Sequence, residues 1–161
     1  MKKNFQLTII ILLLSLALVP AAFSFWDKLP FVGNGVTLLT PENGIIKLPL
    51  QKINDGAAHH FKVRAADGLL VPFFAIRSSD GVIRAAIDAC DVCYRSGQGY
   101  VQEGDYMVCR NCGQRFASDK INVIKGGCNP APLARRIEGD NLIIAMQDIN
   151  TNSWYAKYRQ Q

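Results

Sequence analysis

The sequence feature that most constrains the fold is a cluster of cysteines, because all five in this 161-residue chain fall between positions 90 and 128. Four of them form two Cys-x2-Cys pairs, and fifteen residues separate one pair from the next. Each pair turns the chain back so that two sulfur atoms face one point, and a hairpin between the pairs would bring the two turns together. The pattern predicts one tetrahedral thiolate metal site on two cysteine knuckles, Cys90 with Cys93 and Cys109 with Cys112.

Two disulfides would also account for these pairs, because an exported domain folds in an oxidising compartment. A disulfide inside a Cys-x2-Cys turn is strained, however, and marks a redox-active dithiol more often than a structural cross-link. Metal binding is therefore the favoured interpretation. Four thiolates accept zinc, a single iron ion or an iron–sulfur cluster, and copper is a further alternative.

Two more side chains are candidate ligands. Cys128 lies in the loop Gly126-Gly127-Cys128-Asn129-Pro130, whose glycines let a thiol approach a metal centre, although a buried unpaired thiol is the other interpretation. In the predicted strand around residue 60, His59 shares the apolar face and is expected in the core. His60 shares the polar face with Lys62 and is the better ligand candidate. The complete set of candidate metal ligands is Cys90, Cys93, Cys109, Cys112, Cys128 and His60.

Residues 1–24 carry the signature of an export signal. A short basic start, Lys2-Lys3, precedes an uncharged apolar run from Leu7 to Val19, and Ala22-Phe23-Ser24 offers small residues for signal peptidase. If the segment stays uncut, it serves as a single membrane anchor. Either outcome places the rest of the chain outside the cytoplasm, in a periplasm-like compartment, free or anchored at the inner membrane.

The composition narrows the class of protein further. The chain is 49% hydrophobic and carries a formal net charge of +5, with no block of Lys or Arg beyond the N-terminal segment. Such a chain can build one packed domain and is neither disordered nor a polytopic membrane protein. Its spread of charge gives no basis for nucleic-acid binding, so none is expected.

After residue 24, Asp-Gly and Gly-Asp dipeptides recur at intervals that suit turns between short antiparallel strands. Segments such as 58–65 and 82–88 alternate in polarity, which is the period of a half-buried strand. We predict an all-β domain of about seven to nine strands, a short turn near 118–123, and a polar end, 153–161, that adds a last strand or frays. The predicted turns are Pro41-Glu42-Asn43-Gly44, Asp55-Gly56, Asp67-Gly68, Asp80-Gly81, Gly104-Asp105 and Gly139-Asp140. The predicted divisions are a signal peptide or anchor at 1–24, an N-terminal β segment at 25–57, a metal-binding β domain at 58–146 and a C-terminal tail at 147–161.

Three linked motifs run from Ala86 to Pro130: AxDACDxCY, GYxxEGDxxxCxxCGxxF and GGCNP. They resemble the FtrD-like membrane iron–sulfur protein family, and the likeness extends from Ala58 to Met146. The resemblance implies an iron–sulfur or related metal centre that is linked to iron uptake and electron transfer at a membrane. It also implies that all five cysteines correspond to those of the family.

A second, more distant resemblance concerns architecture. The stretch from Cys109 to Phe116, CxxCGxxF, is similar to the second ligand box of Rieske proteins, with cysteine in place of histidine. The first pair departs from that pattern, because Rieske proteins have CxH where this chain has Cys90-x2-Cys93. The resemblance implies a small Rieske-like β-sandwich or barrel, and all-thiolate ligation implies a lower reduction potential than histidine ligation gives.

We therefore expect an exported, membrane-associated electron carrier that works with a membrane-bound redox or iron-transport protein. A zinc- or copper-binding module without redox turnover is the alternative. A thiol–disulfide oxidoreductase would need a helix after its Cys-x2-Cys pair, and the sequence predicts none. Asp88, Asp91 and Glu103 form no hydrolytic set, so the sequence favours a carrier or metal-binding protein over an enzyme and assigns no catalytic residue.

Overall fold

A computed structural model describes residues 35–159 of the chain. The predicted signal peptide or anchor at residues 1–24 lies outside the described residues. Among residues 35–159, no helix has the length and apolar character that a membrane span needs.

Ten short strands and a helical C-terminal end make up this part of the chain. The strands are β1 (Thr37–Leu39), β2 (Ile45–Pro49), β3 (His59–Arg64), β4 (Leu70–Arg77), β5 (Ile83–Ile87), β6 (Tyr100–Glu103), β7 (Tyr106–Cys109), β8 (Arg115–Ala117), β9 (Arg136–Glu138) and β10 (Asn141–Ala145). One α-helix, α1 (Met146–Thr151), follows, and single 3-10 turns lie at Leu50–Lys52, Tyr94–Ser96, Ser118–Lys120 and Ser153–Ala156. The predicted all-β class is confirmed.

The strands form three sheets, in the orders β1-β3-β4-β5, β2-β10-β9 and β6-β7-β8. Four of the predicted Gly–Asp turns close antiparallel hairpins, namely β3–β4, β4–β5, β6–β7 and β9–β10. The prediction of a hairpin at Asp55-Gly56 is wrong. The strand before it, β2, pairs with β10, and the strand after it, β3, pairs in parallel with β1. This turn therefore carries the chain from one sheet to another.

Strand β4 is buried on both faces and separates two cores. On one side, Phe73 and Ala75 pack in a large core with residues of the β2-β10-β9 sheet and the C-terminal end. On the other side, Phe74 and Ile76 pack in a smaller core with Tyr100 and with two of the cysteines. An apolar run on both faces is typical of a central strand. Two cysteines of the predicted metal site, Cys90 and Cys109, therefore pack in the smaller core beside the same strand that contributes to the main core.

Two elements differ from the sequence prediction. Strand β8 was not predicted, because three residues are too few to show an alternating pattern. The predicted last strand or frayed end is replaced by α1 and the 3-10 turn Ser153–Ala156. Tyr155 and Ala156 are buried in the main core, so apolar contacts hold this polar segment against the sheet.

Candidate metal centre

The first cysteine knuckle follows β5 directly. The backbone N–H of Cys93 donates to Sγ of Cys90 at 3.1 Å, and the N–H of Tyr94 donates to the Cys90 carbonyl at 3.1 Å. An N–H group aimed at sulfur stabilises the thiolate form, which is the form that binds metal. The turn thus presents the two sulfurs together and supplies part of their charge compensation.

The second knuckle joins β7 to β8. The N–H of Gly113 donates to the Cys109 carbonyl at 2.8 Å, and the N–H of Cys109 donates to the Gln114 carbonyl at 2.9 Å. Gly113 has φ +74°, a left-handed conformation that costs glycine little and most other residues more. The side chain of Asn111 donates to Sγ of Cys93 at 3.3 Å and so connects this knuckle to the first.

The fold brings all five cysteines together in two overlapping groups of three. Within each group the sulfur atoms lie within 4.8 Å of one another. The groups are Cys90, Cys93 and Cys128, and Cys93, Cys109 and Cys112. The five thiols are free, with Cys90 and Cys109 buried and Cys112 exposed. The four knuckle sulfurs therefore divide between two groups that share Cys93, and the third loop contributes Cys128.

The thiols differ in their acidity because their surroundings differ. Burial raises the pKa of Cys109 to about 12. Burial and the neighbouring Cys112 also raise the pKa of Cys128, whereas a backbone N–H from Gln114 lowers the pKa of Cys112. A bound cation would offset the raised pKa of Cys109, and thiols that bind a metal release their protons.

A buried carboxylate supports the first knuckle from behind. Oδ1 of Asp88 accepts the backbone N–H of Tyr100 at 2.7 Å, and Oδ2 accepts Nη2 of Arg159 at 2.9 Å. Burial alone would raise the pKa of Asp88, but His60 and Arg159 hold it below its ordinary value. A Cβ at Gly99 would lie 2.6 Å from both carboxylate oxygens, so only glycine fits there. Asp88 therefore orients the start of β6 relative to the knuckle.

Tyr100 connects this support to the third cysteine loop. Its ring is buried in the smaller core, and its hydroxyl donates to the Cys128 carbonyl at 2.6 Å. Burial and the adjacent Cys90 raise the pKa of Tyr100, so it stays a neutral donor. One side chain thus holds the loop that brings Cys128 to the other thiols.

The sixth predicted ligand, His60, lies outside both thiol groups. Its Nδ1 is 3.5 Å from Oδ2 of Asp88, and its ring centre is 5.7 Å from that of Phe74. The face of β3 that the sequence predicts as polar therefore packs in part against the smaller core. The structure brings five of the six predicted ligands together and places His60 behind them, beside the carboxylate.

The segment Ser153–Arg159, here called the C-terminal clasp, is a part of the site that sequence reasoning missed. The Tyr155 hydroxyl donates to the Asp91 carboxylate, and Arg159 donates to both the side chain and the carbonyl of Asp88. The ring of Tyr94 lies in the middle of an aromatic cluster formed by Trp154, Tyr155 and Tyr158. The three aromatic residues of an otherwise polar tail are the signal that could have revealed it.

The chemistry of these donors limits which group the site accepts. Thiolate sulfur is a soft ligand that prefers iron–sulfur clusters, zinc and copper(I) over oxygen-seeking ions such as magnesium or calcium. The site offers five sulfurs, peptide N–H groups directed at sulfur, and no carboxylate within either group of three. The residues therefore fit an iron–sulfur centre and other thiophilic metals.

Comparison with solved structures returns chains of the quaternary ammonium Rieske monooxygenase CntA. Three of them, an apo form, a complex with gamma-butyrobetaine and a complex with the inhibitor MMV12, are each 15% identical to this chain. Their TM-scores are 0.45, 0.44 and 0.46, and they cover 64–65% of this chain. This chain spans about a third, 31–33%, of theirs.

Comparison with curated proteins finds no match. Comparison with protein families gives a match over residues 53–155, well over half of the 161 residues, and these residues include both knuckles and the Cys128 loop. The matched family is described as "Membrane iron-sulfur containing protein FtrD-like". The chain belongs to this FtrD-like family of iron–sulfur containing proteins.

Proposed function

We propose that this protein is an exported, membrane-associated electron carrier that exchanges one electron at a time with a membrane-bound redox or iron-transport protein. Its metal centre is held by Cys90, Cys93, Cys109 and Cys112, with Cys128 as a further ligand. The observation that carries the proposal is the convergence of five thiols from three loops. That donor set is more than a single structural zinc ion needs.

The gradient of exposure across the site supports electron exchange. Cys90 and Cys109 are buried against the smaller core, whereas Cys112 is exposed at the tip of the second knuckle. A centre held in this way is shielded from water on one side and reaches the surface on the other. Electron transfer weakens steeply with distance, so a partner would approach at the second knuckle.

The residues around the sulfurs favour one oxidation state over the other. An iron–sulfur group, when bound, supplies a reversible one-electron change. Hydrogen bonds to the sulfurs, net charge and solvent exposure set its potential. Here the N–H of Cys93 and the amide of Asn111 donate to sulfur and stabilise the more negative, reduced state. The buried Asp88 carboxylate opposes them, and Arg159 neutralises part of its charge.

The second candidate function is a zinc or copper module without redox turnover. Its supporting observation is the close spacing of three sulfurs within 4.8 Å. Sulfurs bound to one zinc ion at about 2.3 Å lie roughly 3.8 Å apart in a tetrahedron, so either group of three could close on one ion. Such a protein would deliver a metal, or present a folded surface to a partner, without changing oxidation state.

A redox titration distinguishes the two functions. The full chain is purified without oxygen, reduced with dithionite and reoxidised stepwise while its visible absorption and electron paramagnetic resonance are recorded. We expect one reversible one-electron transition. Asn111→Ala should lower the potential, because the reduced state loses a donor, whereas Asn141→Ala, at the start of β10 and outside both cysteine groups, should leave it nearly unchanged. A bound metal that shows no redox response would contradict electron transfer and favour the second candidate.

A further inference from the structure

Three neighbouring aromatic side chains, Tyr94, Trp154 and Tyr158, form an aromatic patch beside the first cysteine knuckle. The ring centre of Tyr94 lies 5.0 Å from that of Trp154 and 5.7 Å from that of Tyr158. Trp154 is 45% exposed and Tyr158 is 46% exposed. Removing these rings from water would be favourable, so the patch is suited to contact something outside the domain.

The fold holds the aromatic patch in one place. Tyr155 is buried in the main core, its hydroxyl donates to the Asp91 carboxylate, and its ring stacks on that of Trp154 with the ring centres 3.7 Å apart. A Cβ at Gly97, where φ is +66°, would lie 3.1 Å from the carbonyl oxygen of Tyr158. The backbone of the C-terminal clasp therefore packs directly against the end of the first knuckle. Rings that are fixed in this way lose little conformational entropy on binding.

Positive charge lies over the rings of the patch. The guanidinium carbon of Arg95 is 5.9 Å from the ring centre of Tyr94 and 5.7 Å from that of Tyr158, and Nζ of Lys157 is 5.8 Å from the latter. Neither cation belongs to an ion pair among residues 35–159. The clasp itself contains no Asp or Glu. The patch therefore combines aromatic rings with cations that have no acidic partner in this part of the chain.

We infer that the aromatic patch docks on the surface of an anionic lipid bilayer. Trp and Tyr concentrate at bilayer–water interfaces, where the apolar ring enters the headgroup region while its polar group stays hydrated. Lys and Arg close to anionic lipids strengthen such binding. A protein partner would have to place carboxylates opposite both cations, whereas an anionic bilayer offers negative charge over its entire surface. The meaning of this inference rests on the proposed function, because docking would bring the first knuckle close to a membrane-bound partner.

Tryptophan fluorescence tests the inference in the full chain. The sequence contains two tryptophans, so Trp26→Phe leaves Trp154 as the single reporter. This protein is reconstituted into vesicles of phosphatidylcholine, with or without phosphatidylglycerol, and each composition is prepared with and without brominated acyl chains, which quench a nearby indole. With phosphatidylglycerol we expect a blue-shifted emission and several times more quenching by the brominated lipid than with phosphatidylcholine alone. Added salt should weaken the quenching.

A second reporter controls for lipid that is close to every part of a tethered domain. Tyr106→Trp, combined with Trp26→Phe and Trp154→Phe, places a single tryptophan at an exposed position, at the end of β7 opposite Cys109. The brominated lipid should quench this reporter much less than it quenches Trp154.

Charge variants in the Trp26→Phe protein test the role of the two cations. Arg95→Gln with Lys157→Gln should lower the ratio of docked to undocked protein by at least about tenfold. Arg95→Lys with Lys157→Arg keeps both charges and should keep the quenching. The matched control is Lys47→Gln with Lys52→Gln, which removes two exposed cations from β2 and the turn that follows it and should change little.

Three results would overturn the inference. The first is equal quenching of Trp154 and the Tyr106→Trp reporter, and the second is quenching of Trp154 that does not depend on phosphatidylglycerol. The third is a Trp154 that stays in water in every vesicle, which would leave a protein as the occupant of the patch. The signal requires no electron transfer, so this inference can fail while the redox titration shows a one-electron change, and the reverse is also true.

Discussion

Tyr100 shows how a single residue links the scaffold to the proposed metal site. Its N–H contacts Asp88 behind the first knuckle, and its hydroxyl contacts the carbonyl of Cys128, 28 positions later in the chain. The sequence reveals only that a tyrosine follows Gly99. The fold makes it the connection between the buried Asp88 carboxylate and the Cys128 loop.

Removing that hydroxyl should loosen the Cys128 loop. Tyr100→Phe keeps the buried ring but loses one hydrogen bond, which costs about 1 kcal/mol in the free energy of unfolding. We expect the metal to leave several times faster when a chelator competes for it. Stopped-flow absorption measures the release rate, and Tyr106→Phe, at an exposed tyrosine of β7, is the control. Equal release rates in all three proteins would show that the hydroxyl does not hold the loop.

Asp80 gives a prediction about pH at the β4–β5 turn. Its carboxylate accepts hydrogen bonds from the buried Arg84 at 2.7 and 2.8 Å, and Arg84 and Ser78 hold its pKa well below the ordinary value. A carboxyl with a lowered pKa stabilises the fold above its unfolded pKa of about 3.9, and that contribution disappears as the pH falls through the folded pKa.

The test compares the metal-free wild type with Asp80→Asn by urea unfolding at several pH values. The wild type should be the more stable protein at neutral pH, and its advantage should shrink steadily as the pH falls below about 4. Asp105→Asn, at the tip of the β6–β7 turn, is the control and should show no comparable trend. An advantage that stays constant down to pH 2 would exclude this ion pair as the cause.

At the scale of elements, the C-terminal clasp is the segment whose contacts with the first cysteine knuckle lead to a testable prediction. It reaches the first knuckle through Tyr155 and Arg159 and surrounds Tyr94 with aromatic rings. The family match ends at residue 155, so Arg159 lies beyond the matched residues. From outside the matched segment, Arg159 contacts the buried carboxylate behind the proposed metal site.

Arg159→Gln should weaken the clasp without unfolding the domain. Asp88 loses a charged partner that donates both to its carboxylate and to its backbone carbonyl, at a cost of about 2 kcal/mol, and its carboxylate keeps the N–H of Tyr100. Amide hydrogen exchange of residues 90–97 should speed up, while exchange in β3 and β4 stays the same. Arg159→Lys should restore the charge but not the paired geometry, and so rescue only part of the protection.

Arg136→Gln is the matched control for this test, because it removes an exposed arginine that pairs with Glu138 on β9. It should leave the exchange of residues 90–97 unchanged, since exposed ion pairs contribute little. Unchanged exchange in Arg159→Gln as well would mean that the clasp does not brace the knuckle.

At the scale of the whole molecule, the sequence predicts those features that depend on neighbouring residues. The Gly–Asp turns at 67, 80, 104 and 139 predict four hairpins correctly, because a tight turn and its flanking strands depend on about a dozen consecutive residues. The Asp55-Gly56 turn has the same local chemistry but joins two sheets. Pairing of β2 with β10 across almost the whole domain, which decides that outcome, leaves no local signal.

The features of the candidate site also divide into those that the local sequence predicts and those that it does not. Spacing predicts the two knuckles, and the glycine loop suggests Cys128, because each of these depends on a short stretch of chain. The contacts of Asp88, Tyr100 and Arg159 join positions 12 and 71 residues apart, so no pattern in the sequence marks them. His60 shows the same limit, because its neighbours depend on which sheet covers that face of β3.

The measurement that tests the central claim most directly is the content of iron and acid-labile sulfide in the full chain, purified without oxygen from iron-replete cells, together with its visible spectrum. We predict iron and sulfide in equal amounts and a visible band that bleaches with dithionite. Cys90→Ser and Cys109→Ser, at the two buried thiols, should lose the colour. A colourless protein with one zinc ion per chain and no sulfide would contradict the account and leave a redox-silent metal module.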